Sequence, residues 1–410
     1  MPNLLNRKRI ERKMQEKGID LLIAGSKENV QYITDSTLPG YAVLPLDRKI
    51  EPFIVTWVAF ADKIVESETW IKDRKYCGTF FFEKYDGELT ELEKGIYNEI
   101  VPIQNKIEEW WKLQRGGAEG VPGFLENLVE GIKERHLEKA KIGIEEKELS
   151  IKFFNALRSK LPDAEFILAD DVFNYARMVK TPFEIELFRE GTLIVENGIE
   201  DVCKIVKEGM TEQELLNAYK ESVVSRGAGI DFNTIFAFGH RSIMPTSGLG
   251  IVRPNIRLKK RDMIRFNPII NYKNHPFHMG RTAVLGEPRD KKLEPYYQAI
   301  LKGENAQLEA LKPGIKASEM YYICEKTVRE SGIPHYRRHH VGHALGIGTG
   351  YDNPIIAFND GTILEEGMVL NLEPNYFEFG LGGLQLEDTL VITSTGYELL
   401  TKSSRELWIL

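Results

Sequence analysis

Gly367-Met368-Val369-Leu370-Asn371-Leu372-Glu373-Pro374 is a strand-like run ending on a carboxylate, and its opening echoes an earlier one. Asp262-Met263-Ile264-Arg265-Phe266-Asn267 starts the same way, and Met368 lies 105 residues beyond Met263. Upstream of each, Val206-Lys207-Glu208-Gly209 and Leu311-Lys312-Pro313-Gly314 stop a long helix, again with glycines 105 residues apart. A further helix follows each stop, containing Glu214 in the first case and Glu319 in the second. Two features sharing one offset predict a duplicated α+β half. Two such halves make a pseudo-symmetric sheet domain, and the cleft between them is a favoured place for a pocket.

N-terminal to this repeat the pattern changes. Residues 4–17 place Leu4, Leu5, Ile10 and Met14 among charges, an amphipathic helix stopped by Gly18. Runs 19–24, 41–46, 52–58, 140–144 and 166–171 read as strands, with a helix near 147–160. Alternating strands and helices predict an α/β first domain over residues 1–172. The second domain, 173–410, has its first long helix after Thr181, which can cap it with Pro182 at the first position and Glu184 completing a capping box. Phe80, Phe81, Phe82 and Tyr85 are read as core aromatics of the first domain.

Bulk composition narrows the class. The chain has 410 residues, a net charge of −7 and no run of like charges, which speaks against a nucleic-acid binder. Its three cysteines are scattered and form no CxxC, so a reducing cytoplasm is expected, without disulfides or a zinc ribbon. No stretch reaches the roughly 18 apolar residues of a membrane span.

The motifs that remain carry chemistry. Arg338-His339-His340-Val341-Gly342-His343-Ala344-Leu345-Gly346, the run ending on Glu373, and Gly383-Leu384-Gln385-Leu386-Glu387-Asp388-Thr389 follow one another in order. Together with the repeat they resemble the family of methionine and Xaa-Pro aminopeptidases, prolidases and creatinases, over essentially the whole chain. That resemblance implies a creatinase-like N-terminal domain followed by a duplicated catalytic domain of the "pita-bread" fold. It also implies five metal-ligand positions, usually Asp, Asp, His, Glu, Glu, of which His343, Glu373 and Glu387 match the last three. Asn267 and His278 stand where the two aspartates are expected. The segment Gly239-His240 to Pro245 ends in Thr246, where the peptidases place a histidine, and Gly350-Tyr351-Asp352-Asn353 occupies the region of a second substrate histidine.

These departures change the charge balance. Four carboxylates suit two divalent cations, whereas Glu373 and Glu387 alone suit one cation or none, and neutral Asn and His bridge metals poorly. Two arrangements stay open. His278, His343, Glu373 and Glu387 bind one Zn, Mn or Fe ion, or the imidazoles neutralise the glutamates with no metal at all. For the reaction, creatinase-like hydrolysis of a C–N bond in a small polar molecule is the leading expectation. A metal-dependent Xaa-Pro dipeptidase or aminopeptidase with a mononuclear site is the alternative, and a lyase or non-catalytic binding protein the third.

Glu373 is expected to act as base, with His343 or His278 as acid, Glu387 orienting the imidazoles and Asn267 donating to an oxyanion. Thr246, His240, His339, Arg281 and Tyr41 are candidate substrate contacts. The resemblance further implies a homodimer in which the loop Asp35–Tyr41 reaches the partner's pocket.

Overall fold

The computed structural model describes residues 3–66, 69–78, 80, 82–83, 86–112, 123–146, 149–231, 233–244 and 256–410. By contacts the chain divides into two compact units, Met1–Arg177 and Met178–Leu410.

The first unit is built on a six-stranded mixed sheet, in the order Asp73–Cys77, Phe53–Trp57, Gly40–Pro45, Leu21–Ala24, Lys141–Ile144, Glu165–Leu168. The inner strands are apolar on both faces, because helices such as Phe124–Glu134 and Ile151–Lys160 cover them. The opening helix, Arg7–Lys17, buries Ile10 and Met14 and ends on Gly18 in the left-handed conformation. One expectation needs correction here. Phe80 and Phe82 are exposed and stack on each other rather than filling the core, while Phe81 and Tyr85 lie outside the described residues. The edge strand Asp73–Cys77 escapes the sequence reading because three charged residues open it.

In the second unit the repeat is visible element by element. The helices Glu212–Ser225 and Ala317–Glu330 are each 14 residues long and start 105 residues apart. Each half packs its helices on its own sheet. Leu187, Val195, Ile199, Leu215 and Tyr219 meet Phe236 and Phe266 in the first half. Tyr297, Ile300, Met320 and Cys324 meet Leu370, Leu372 and Leu390 in the second. The first sheet runs Trp408–Ile409, Arg281–Val284, Met263–Asn267, Ile235–Phe238; the second runs Thr349–Ile355, Gly342–Gly346, Val369–Leu372, Asp388–Ile392, Tyr397–Leu399. The helix Pro182–Ile205 that opens the unit has the complete Thr181–Glu184 capping box.

A two-way backbone bridge between Gly280 and Glu387 ties one half to the other. A buried polar cluster forms at this seam.

Candidate active site

Strand ends deliver the polar groups. His278 closes the strand His275–His278, His343 lies in Gly342–Gly346, Glu373 follows Val369–Leu372, and Glu387 precedes Asp388–Ile392. All four side chains are buried. Two glycines make the close approaches possible. A Cβ on Gly342 would stand 2.7 Å from the Asn371 carbonyl oxygen, so only glycine lets the histidine strand lie against Val369–Leu372. A Cβ on Gly280 would stand 2.5 Å from Gln385 Cγ and 2.7 Å from Glu387 Cγ.

Glu387 is fully engaged. Its Oε2 lies 3.2 Å from His278 Nδ1 and accepts from Asn371 Nδ2 at 3.4 Å. Its Oε1 accepts from Asn375 Nδ2 at 2.9 Å and from the Gln385 amide. A carboxylate offers about four lone-pair positions, and four donors meet them. Burial opposes the charge, yet the His278 contact and the amide donors hold this carboxyl well below the usual range.

Glu373 is the opposite case. Burial raises its pKa, and the neighbouring Glu387 charge raises it further against the pull of Arg338. Its Oε2 accepts from Asn375 Nδ2 at 3.0 Å. Its Oε1 lies 2.9 Å from His340 Nδ1 and 3.6 Å from His343 Nε2, in neither case as a formed hydrogen bond. His343 Nδ1 sits 3.0 Å from the Ala344 carbonyl, so Nδ1 carries the proton and Nε2 presents a lone pair toward Glu373. Burial and the neighbouring His278 push the His343 pKa down to about 3. Rings of Tyr351, His343 and His278 stack in sequence, with centroids 3.9 and 5.1 Å apart.

The other candidate residues fare differently. Arg281 is fully buried and spends its guanidinium on Gly280 O, Glu387 O, Asp388 Oδ1, Ser403 and Ser404. It therefore has no donor left for a substrate and instead braces the Glu387 segment. His339 points to solvent, and its buried neighbour His340 is the one beside Glu373. His240 is exposed on a separate cavity of about 440 Å³, lined also by Arg261, Arg289 and Phe379. Tyr41 belongs to the first unit, where its ring stacks on Phe153 at 5.0 Å and meets the edge of Phe124. Asn267 ends its strand with Oδ1 buried and without a hydrogen-bond partner. Thr246 lies outside the described residues.

The sequence reading missed His340, Asn371, Asn375 and Gln385. A signal existed, since Asn371 and Asn375 each lie two residues from Glu373, and Gln385 lies two residues from Glu387.

The profile described as "Metallopeptidase family M24" matches residues 186–394, and "Creatinase/Prolidase N-terminal domain" matches residues 6–179. This chain belongs to the M24 family. It is 31% identical over 332 residues to an Xaa-Pro dipeptidase of Pyrococcus horikoshii, covering 80% of this chain and 85% of that one. A Pyrococcus furiosus Xaa-Pro dipeptidase is 33% identical over 260 residues, 63% of this chain and 73% of the other. Among solved structures, the prolidase from P. horikoshii superposes with a TM-score of 0.74 at 25% identity, covering 98% of this chain and 99% of that one. The two-domain pita-bread architecture and a hydrolase acting on C–N bonds follow from this membership. No helix among the described residues is long and apolar enough to cross a membrane.

Family membership implies divalent metal, and the donor set decides whether a dinuclear centre fits here. It does not fit. Asn375 Nδ2 stands between the two carboxylates and donates to both, and Glu387 has no oxygen lone pair left to bridge cations. Among the described residues, no group of three or more His, Cys, Asp or Glu side chains is arranged to hold an ion.

Proposed function

We propose that this M24 hydrolase cleaves a C–N bond of a small polar substrate with a carboxyl–imidazole cluster and no dinuclear metal centre. The observation that carries this is the Asn375 amide, bonded at 3.0 and 2.9 Å to the two carboxylates that would otherwise face cations.

The electrostatics support the opposite assignment to the one expected from sequence. Glu373 holds the proton of the carboxyl pair, and His343 Nε2 offers the lone pair. Water adds to the scissile carbon as His343 takes its proton, and Glu373 protonates the leaving nitrogen. The resulting imidazolium and carboxylate face each other across 3.6 Å. Burial disfavours the charged form of both, so the proton returns to Glu373 and the site is reset. Glu387 acts throughout as a fixed anion that orients His278.

Elemental analysis and a turnover screen of small amides and amidines test this together. The expected result is fewer than two tightly held transition-metal ions per chain. Turnover should survive a chelator and fall roughly 100-fold or more in Glu373→Gln. Two tightly bound ions with chelator-sensitive turnover would refute it. The names of the relatives support a second reading, an Xaa-Pro dipeptidase using one metal ion. Efficient Mn- or Co-dependent cleavage of such a dipeptide would establish it. The free thiols Cys77, Cys203 and Cys324 accord with a cytoplasmic setting, and a homodimer acting on a small molecule completes the proposal.

A further inference from the structure

The second unit holds a cavity of about 440 Å³ whose lining residues are distinct from those of the carboxyl–imidazole cluster. Met263 lines it at one end of the strand Met263–Asn267, whereas Asn267, at a ligand position of the family, lies four residues on, about 13 Å along the strand. Its volume falls in the range of small-molecule sites, about 300–1,000 Å³. Ile243, Met263, Leu293 and Leu381 make the lining apolar. Phe379, 85% exposed at the tip of the hairpin formed by Tyr376–Glu378 and Gly382–Leu384, adds an aromatic ring. The two acids of the lining are already used. Asp262 accepts from Lys259 N at 2.9 Å and from Arg289 Nη2 at 3.0 Å, and Asp290 from Lys292 N at 2.8 Å. Arg261 gives only Nη2 to protein, to the Pro288 and Arg289 carbonyls at 3.1 and 3.4 Å, so among the described residues its Nε and Nη1 are left to an outside acceptor. Its backbone adopts φ 70°, a left-handed turn geometry that favours glycine. An arginine there carries a backbone cost that glycine would not, so its side chain answers to something other than the turn. The two turns, Lys259-Lys260-Arg261-Asp262 and Arg289-Asp290-Lys291-Lys292, set six cations against two acids and make a field that draws anions.

We propose that this cavity is a second ligand site, taking a small aromatic molecule that carries an oxyanion, a phosphate or a carboxylate. The ring lies on the apolar lining against Phe379. The oxyanion meets the donors that Arg261 leaves open, in charge-assisted hydrogen bonds. The site is independent of the hydrolytic chemistry but has a structural line to it. The hairpin that carries Phe379 leaves from Asn375, which donates to Glu373 and Glu387, and returns through Gln385, which donates to Glu387. Gly383 N donates to Ser242 Oγ at 3.2 Å, fixing the returning strand beside the cavity wall. A ligand held at the tip steadies the strands whose bases carry the Asn375 and Gln385 amides.

Binding tests this without any turnover. The anionic probes are 1-naphthyl phosphate and 1-naphthoate, with neutral 1-naphthol and inorganic phosphate as controls, titrated by ligand-observed NMR into the full chain. At least one naphthyl anion should bind roughly tenfold more tightly than either control, and the tighter of the two identifies the oxyanion the site takes. Arg261→Gln should remove that preference, and Arg261→Lys should keep part of it, because Lys retains the charge without the planar fork. Phe379→Ala should weaken the naphthyl probes roughly threefold or more. Both positions are exposed, and thermal melts establish that the variants fold. Binding should be unchanged in Glu373→Gln, and amide hydrogen exchange across Asn375–Glu387 should slow when the naphthyl anion is bound. Anions that bind no better than the controls, a preference that survives Arg261→Gln, loss of binding in Glu373→Gln, or hairpin exchange that the probe leaves unchanged would overturn the proposal.

Discussion

Asn375→Asp changes one atom at the centre of the cluster. The Asn375 side chain donates to Glu373 Oε2 at 3.0 Å and Glu387 Oε1 at 2.9 Å, while its Oδ1 accepts from Leu386 N at 2.9 Å. Aspartate keeps that acceptor and removes both donations, placing a third carboxyl against two others in a fully buried site. Hydrogen bonds to charged groups contribute about 1.5–3 kcal/mol each. Glu387 is pushed toward its ionised form and Glu373 away from it, so one bond of that class and one ordinary bond are lost, a cost of about 2–5 kcal/mol at neutral pH. The new acid can recover a donor by taking up a proton, so the loss should shrink as pH falls toward 5. Urea unfolding of both proteins at pH 7.5 and pH 5.5 measures both effects. A loss below about 1 kcal/mol at pH 7.5, or one that grows on acidification, would refute the view that the amide holds the carboxylates together.

Two further outcomes follow from the same geometry. Gly280→Ala places a methyl 2.5 Å from Gln385 Cγ and 2.7 Å from Glu387 Cγ, and should cost about 1–3 kcal/mol in denaturant unfolding while lowering turnover. Gly361→Ala, with nothing within 4 Å, should stay near wild type; equal effects would show that Glu387 is not clamped. Acid stability is the second outcome. His275 is 1% exposed, and burial holds its pKa down at about 4. A depressed histidine leaves the unfolded chain binding the extra proton, so stability should fall as pH drops from about 6.5 to 4, by about 3 kcal/mol from this residue. His275→Gln should flatten that part of a pH–stability curve, and an unchanged slope would count against the buried neutral imidazole.

How much of this could be read beforehand depended on the kind of signal. The duplicated half was legible because helix stops and strand openings recur at one offset, and helices Glu212–Ser225 and Ala317–Glu330 keep it. The Thr181 capping box was legible because its chemistry is local. The strand Asp73–Cys77 was not, since a charged edge strand lacks apolar alternation. Within the site, His339 and His340 are adjacent, and only the chain's path determines which one turns inward. Arg281 resembled a substrate contact because a buried arginine and a ligand-seeking one look alike in sequence. What gives Arg281 its structural role is the presence of carbonyl acceptors from residues more than 100 positions away.

The departures from the family's ligand set become coherent once the amides are included. Asn267 and His278, at the positions where the resemblance expects two aspartates, carry no fixed negative charge. Two buried glutamates remain, and an isolated buried carboxylate is too costly to leave uncompensated. The structure compensates them in two ways. Glu387 stays ionised because donors from His278, Asn371, Asn375 and Gln385 surround it. Glu373, with fewer donors and a charged neighbour, has its pKa pushed up instead. One carboxylate is thus stabilised as an anion by N–H donors, and the other is pushed toward its protonated form. The same division separates the two groups: Glu387 is fixed by four donors, whereas Glu373 keeps an oxygen 3.6 Å from the His343 Nε2 lone pair.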